Sequence, residues 1–236
     1  MRNSLAMFKK EIRSYFASTI AYVVLAVFLA VVGYFYSYFL FSTGQATLTF
    51  LFLNLSNVLL LVAPLLTMRL LAEEQRLGTM ELLLTAPIRD WEIVLGKWLA
   101  AFVMVLAMLA MTAYTAVIVF AFGNPELGPI IAGYLAVLLL SAALLSIGLL
   151  ASSLSQNQLV AAVVAFGCSL LLWNLNLLAK YLGPPWQEVV NYLALSQHFL
   201  PFTRGVIRTQ DVLYYVSVVA VCLFFATRIV EKRRWQ

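Results

Sequence analysis

From Ser14 to Met68 the chain contains no Asp, Glu, Lys or Arg, and from Trp98 to Lys180 only Glu126 breaks the neutrality before the final lysine. Uncharged blocks of that length cannot clothe a water-soluble domain, which needs charged side chains spread over its surface. They suit a bilayer, where a spanning helix takes about 20 mostly apolar residues. Composition agrees. Hydrophobic residues make up 64%, charged residues only 11%, and mean hydropathy is +0.96, against roughly 25% charged in a soluble domain. The length of 236 residues suits one domain. The expected fold is all-α and polytopic, with six spans at 17–41, 48–71, 93–122, 130–154, 158–179 and 212–229. A cleaved signal peptide is not expected, because the first apolar run is too long and has no small-residue cleavage site.

The net charge of +5 does not point to nucleic acid. The basic residues sit at the flanks of apolar blocks, which makes the lipid bilayer the partner they serve. With both termini inside, the inner side holds twelve Lys and Arg and the outer side three, Lys180, Arg204 and Arg208. The positive-inside bias therefore predicts a multi-pass protein with cytoplasmic termini. Cys168 and Cys222 lie mid-span and read as small residues packed between helices.

Residues 1–16 repeat Leu5, Phe8, Ile12, Tyr15 and Phe16 at three- and four-residue spacing, with Lys9, Lys10, Glu11 and Arg13 on the other faces. That pattern predicts a helix lying along an anionic leaflet, the alternative being a solvated tail. Asn54, Ser56 and Asn57 fall inside the second span, either as glue between helices or, for Asn54 and Asn57, as substrate contacts. Gly148 and Ser152, and Ala161 and Ala165, are small pairs at four-residue spacing that permit close helix approach. Residues 184–207 are amphipathic and begin at Pro184 and Pro185, so they predict short helices dipping into the outer leaflet. Asp211 is expected to cap the last span.

The charges are concentrated between the second and third spans. Arg69 to Lys97 carries nine of them, in the run RLLAEEQRLGTMELLLTAPIRDWEIVLGK. Gly78 breaks the helix leaving span two, Thr79 can cap a new one, and Glu81 faces its positive dipole end. Leu82, Leu83 and Leu84 follow, and Pro87 ends it by disfavouring helical geometry at Ala86. The product is a short helix across the cytoplasmic face at 78–87, a shape that suits a groove on a partner protein, the alternative being a plain amphipathic loop between spans. Glu73 and Glu74 pair with Arg76 or a partner's arginine, or else form a solvated helix end.

This chain resembles the membrane subunits of type-2 ATP-binding-cassette (ABC) exporters, most closely the branch of the gliding-motility permeases. The resemblance rests on FKKEIRSYF, on PLLTMRLLAEEQRLGTMELLLTAPIRDWEIVLGK, and on SQHFLPFTRGVIRTQDVLYYVSVVA with the terminal EKRRW. It implies a dimer of permease copies, or a related heterodimer, with two cytoplasmic ATPase subunits. ATP and Mg would sit on those subunits. It makes 78–87 a coupling helix, with Thr85 and Pro87 among its contacts, 1–16 an interfacial connecting helix, and 184–207 a re-entrant pair. It also implies an accessory membrane subunit with a large exterior domain meeting residues 180–211.

The chain has no G-x-x-x-x-G-K-[ST] phosphate loop, since Gly96-Lys97 is followed by Trp98. It is expected to be no enzyme and to bind no cofactor. An intramembrane protease is the rival reading, but its glutamates lie outside the spans and its one histidine, His198, falls on the other side. His198 reads as bonded to backbone, with Ser196 as the nearest hydroxyl. A non-transporting adaptor or channel is the third reading. It lacks the ring of polar or charged groups that conduction requires.

Overall fold

The structure is a computed structural model that describes residues 2–44, 47–79, 88–122 and 125–234. Every regular element among them is helical. They are α1 (Arg2–Ala17), α2 (Thr19–Thr43), α3 (Thr49–Thr67), α4 (Ala72–Arg76), α5 (Asp90–Phe122), α6 (Leu127–Leu154), α7 (Gln158–Ala179), α8 (Trp186–Leu193), α9 (Leu195–Thr203) and α10 (Thr209–Arg234). Six helical stretches are long and apolar enough to cross a membrane: Ala21–Thr43, Thr49–Arg76, Asp90–Ala121, Leu127–Leu154, Gln158–Ala179 and Thr209–Arg233. They match the six expected spans in order, and α7 matches to the residue.

Long-range order starts from α6. In its most apolar window 72% of residues are buried, against 17% for α2, α7 and α10, so α6 is the axis and those three form the rim. Helices α3, α5, α7, α9 and α10 all pack on it. Small residues make this possible, because they let helix backbones approach closely. A side-chain carbon on Gly133 would overlap the Phe52 ring of α3, and one on Gly148 would overlap Thr67 Oγ1. Four residues beyond Gly148, Ser152 meets the turn that follows α3. The Gly148–Ser152 stripe is thus the seat of α3. Ala161 and Ala165 are likewise buried on α7.

Hydroxyls within the spans mostly return to their own helix. Ser56, Thr112, Ser141 and Ser146 donate to carbonyls three residues back, and Asn57 Nδ2 shares Leu53 O with Ser56. Among the described residues, these bonds of Ser56 and Asn57 stay within α3. Tyr134 Oη on Thr112 O (3.2 Å) and Trp98 Nε1 on Ala142 O (3.3 Å) cross between α5 and α6. Cys222 is half-buried, whereas Cys168 is exposed on α7 rather than packed between helices.

Candidate functional site

Helix α3 stops at Thr67, short of the expected 71. Pro64 offers no N–H, and Thr67 Oγ1 turns back onto Ala63 O at 2.8 Å. Leu70 N then bonds Thr67 O, leaving Leu66 O without its helical donor. The phenol of Tyr15 on α1 takes that place, donating to Leu66 O at 2.8 Å. Burial pushes the phenol well above its ordinary value, so it remains a donor.

The next helix, α4, begins with backbone N–H groups that have no partner within the helix. Ser152, at the end of α6, supplies one from across the bundle. Its Oγ accepts from Leu71 N at 3.1 Å and Ala72 N at 3.0 Å, and donates to Met68 O at 3.3 Å. One residue on, Ser153 O accepts from Gln75 Nε2 (3.2 Å) and an Arg233 guanidinium nitrogen (3.1 Å). The ends of α3, α4, α6 and α10 are thereby tied into one platform.

At its centre is Lys97, which is only 1% exposed. A buried ammonium persists only when it is paired and hydrogen-bonded. Its Nζ lies 2.9 Å from Glu11 Oε1 of α1 and 2.9 Å from Glu74 Oε1 of α4. Three elements thus share one cation, and the cluster carries one net negative charge. The start of α5 is fixed as well, since Glu92 Oε2 reaches back to Arg89 N at 3.2 Å in the manner of a capping box.

The expected site residues divide accordingly. Glu74 and Glu11 enter the cluster; Glu74 is neither paired with Arg76 nor solvated. Glu73 is half-buried beside it, while Arg76, Lys9, Lys10 and Arg13 are exposed. Gly78 follows α4 at φ +70°, a left-handed conformation that glycine adopts without strain. Thr79 bonds Glu74 O at 3.4 Å. Glu81, Leu82, Leu83, Thr85 and Pro87, and with them most of the expected helix at 78–87, lie outside the described residues. Asn54 is half-buried and Asn57 exposed on α3. Lys97 was not among the candidates, because its two partners lie 86 and 23 positions away, beyond any helical periodicity.

The opposite end of the bundle holds a second polar cluster. Helix α9 buries Leu195, His198, Phe199 and Phe202, while α8 buries no residue. Two short helices are therefore present where a re-entrant pair was expected. His198 Nδ1 lies 2.6 Å from Asp211 Oδ1, its Nε2 lies 2.8 Å from Tyr192 O, and its ring stacks on Tyr214 at 3.9 Å. Tyr214 and Tyr215 donate to Leu193 O and Leu195 O. The backbone bond matches expectation. Asp211, however, lies inside the first turn of α10 and serves His198 rather than capping the helix. Both ring nitrogens are occupied, so neither is left to activate Ser196 as a serine protease requires.

Among the described residues, six apolar helices in one bundle, with ion pairs gathered towards the ends, have the build of a multi-pass membrane protein. Residues 3–227 match the family described as ABC-2 family transporter protein, and the chain belongs to that family. Among curated proteins it is similar to "Probable multidrug ABC transporter permease YbhR" of Escherichia coli K12 and to its counterpart in strain O157:H7. Each is 26% identical over 140 residues, which is 57% of this chain. The match spans only 37% of the length of those relatives.

Proposed function

We propose that this chain is the permease subunit of an ATP-driven exporter. In this reading it works as a dimer with a second copy or a related permease, in the inner membrane with both termini cytoplasmic. Two separate ATPase subunits bind ATP and Mg and grip the segment 78–87. The observation that carries the reading is the Lys97 cluster. It ties α4, the element from which that segment departs, to the interfacial helix α1 and to α5, so that a force on 78–87 is delivered to both together. Energy from outside the chain also fits the spans, which carry no acid or base at mid-membrane.

The substrate path is assigned to a seam formed by α2, α3 and α7, whose outward faces are apolar. On α3 that face bears Asn57, Leu61 and Leu65, all exposed at helical spacing. Such a seam suits an amphipathic cargo, in keeping with the multidrug description of the E. coli relatives. Kinship with the gliding-motility branch, re-entrant insertion of α8 and α9, and an accessory subunit over 180–211 belong to the same proposal.

The test is co-purification with the ATPase encoded nearest the gene, followed by ATPase measurement in nanodiscs. Glu81→Ala or Leu83→Ala is expected to lower permease-stimulated hydrolysis and leave the isolated ATPase unchanged. Normal stimulation in both variants would remove 78–87 from the coupling role.

A further inference from the structure

A cavity of about 420 Å³ opens beside the Lys97 cluster, between α1, the start of α2, the end of α3 and α4. Its lining mixes charged and polar groups with a larger apolar part. Lys10, Arg69 and Lys97 face Glu11, Glu73 and Glu74, so it holds no excess charge of either sign. Two of these residues present buried atoms with no protein partner, Arg69 Nε as a donor and Glu74 Oε2 as an acceptor. Each would carry a desolvation cost unless something met it. The apolar part includes Leu65 and Leu77, which are 46% and 65% exposed and so extend the apolar lining to the surface.

We propose that this cavity is a binding site for one phosphatidylethanolamine molecule. The phosphate accepts from Arg69, the primary ammonium donates to Glu74 Oε2, and an acyl chain leaves over Leu65 and Leu77. Charge-assisted bonds of this kind are the strong ones. The balanced lining offers a net anionic headgroup no excess of cations to meet, and choline has no N–H to give Glu74. The lipid braces α1 against α4 at the point where the ion cluster joins them. This assignment does not depend on the transport reading, since it concerns only the chain in a bilayer.

Native mass spectrometry of the full chain tests it, after equilibration with an equimolar mixture of phosphatidylethanolamine, phosphatidylcholine and phosphatidylglycerol. One phosphatidylethanolamine is expected to be retained about tenfold over the other two, the scale of one charge-assisted bond. Arg69→Gln and Glu74→Gln should each erase that preference. The wild-type competition needs no variant and stands if either fails to fold. Equal retention of all three lipids would overturn the assignment, as would preference for phosphatidylglycerol. Inorganic phosphate displacing the lipid at millimolar concentration would also overturn it, by showing a free-anion site.

Discussion

The two ends of the bundle solve the same problem, a buried ionisable group, with opposite chemistry. Around Lys97 the charges are separate and outnumbered: one ammonium holds two carboxylates that belong to different helices. Around His198 a single proton is shared. A carbonyl at Nε2 requires a hydrogen there, and the 2.6 Å contact at Nδ1 requires one more, on the ring or on Asp211. The His198–Asp211 pair is therefore neutral overall, walled by Tyr192 and Tyr214. The first arrangement joins distant elements and fails if one member is removed. The second fixes two short helices to the top of α10 and tolerates any neutral donor–acceptor pair of the same shape.

That contrast can be broken in order of expected effect. Lys97→Met should be the most damaging change. It leaves two half-buried carboxylates without their cation; removing one partner of a fully buried pair costs about 3–5 kcal/mol, and the loss here should approach the lower end. Thermal unfolding in detergent would show it, and adding Glu11→Gln and Glu74→Gln should recover most of the loss. Next comes Gly133→Val, which drives a side chain into the Phe52 ring and should cost about 1–3 kcal/mol by overpacking. Gly167→Val, at a position with open space around it, is the matched control and should cost less.

At the other end, His198→Ala should destabilise by about 1–3 kcal/mol, through the buried acceptors it leaves unmet. Asp211→Asn should cost less, because the amide can donate to Nδ1. Equal losses for the two would show that the pair depends on charge after all. The smallest change is Tyr15→Phe, which removes one hydrogen bond to Leu66 O and should cost about 1 kcal/mol.

Much of this architecture was legible from the residues alone. The uncharged blocks located all six spans, and Pro184-Pro185 marked the start of α8. The spacing of Gly148 and Ser152 allowed a close helix approach without saying which helix makes it. Hydropathy alone ranks the block of α6 first only by a narrow margin, and does not order the rest by burial. That ranking comes from where small residues meet large ones, as Gly133 meets Phe52. The clusters were less visible. Lys97 looked like a flanking charge at the mouth of a span, and Glu11 like one polar residue in a basic face. Their pairing is set by how α1 folds back on α5, a tertiary fact without local signature. Asp211 was misread for the same reason, since its carboxylate serves a ring 13 residues away instead of its own helix end.

The central claim is that the Lys97 cluster makes α1, α4 and α5 move as one with the segment that partner ATPases would grip. The neutral triple variant Glu11→Gln, Glu74→Gln, Lys97→Met tests it without the damage of an unpaired charge. Reconstituted with the ATPase, it should still co-purify, while permease-stimulated ATP hydrolysis falls towards the rate of the isolated ATPase. Stimulation equal to that of the unaltered permease would contradict the account.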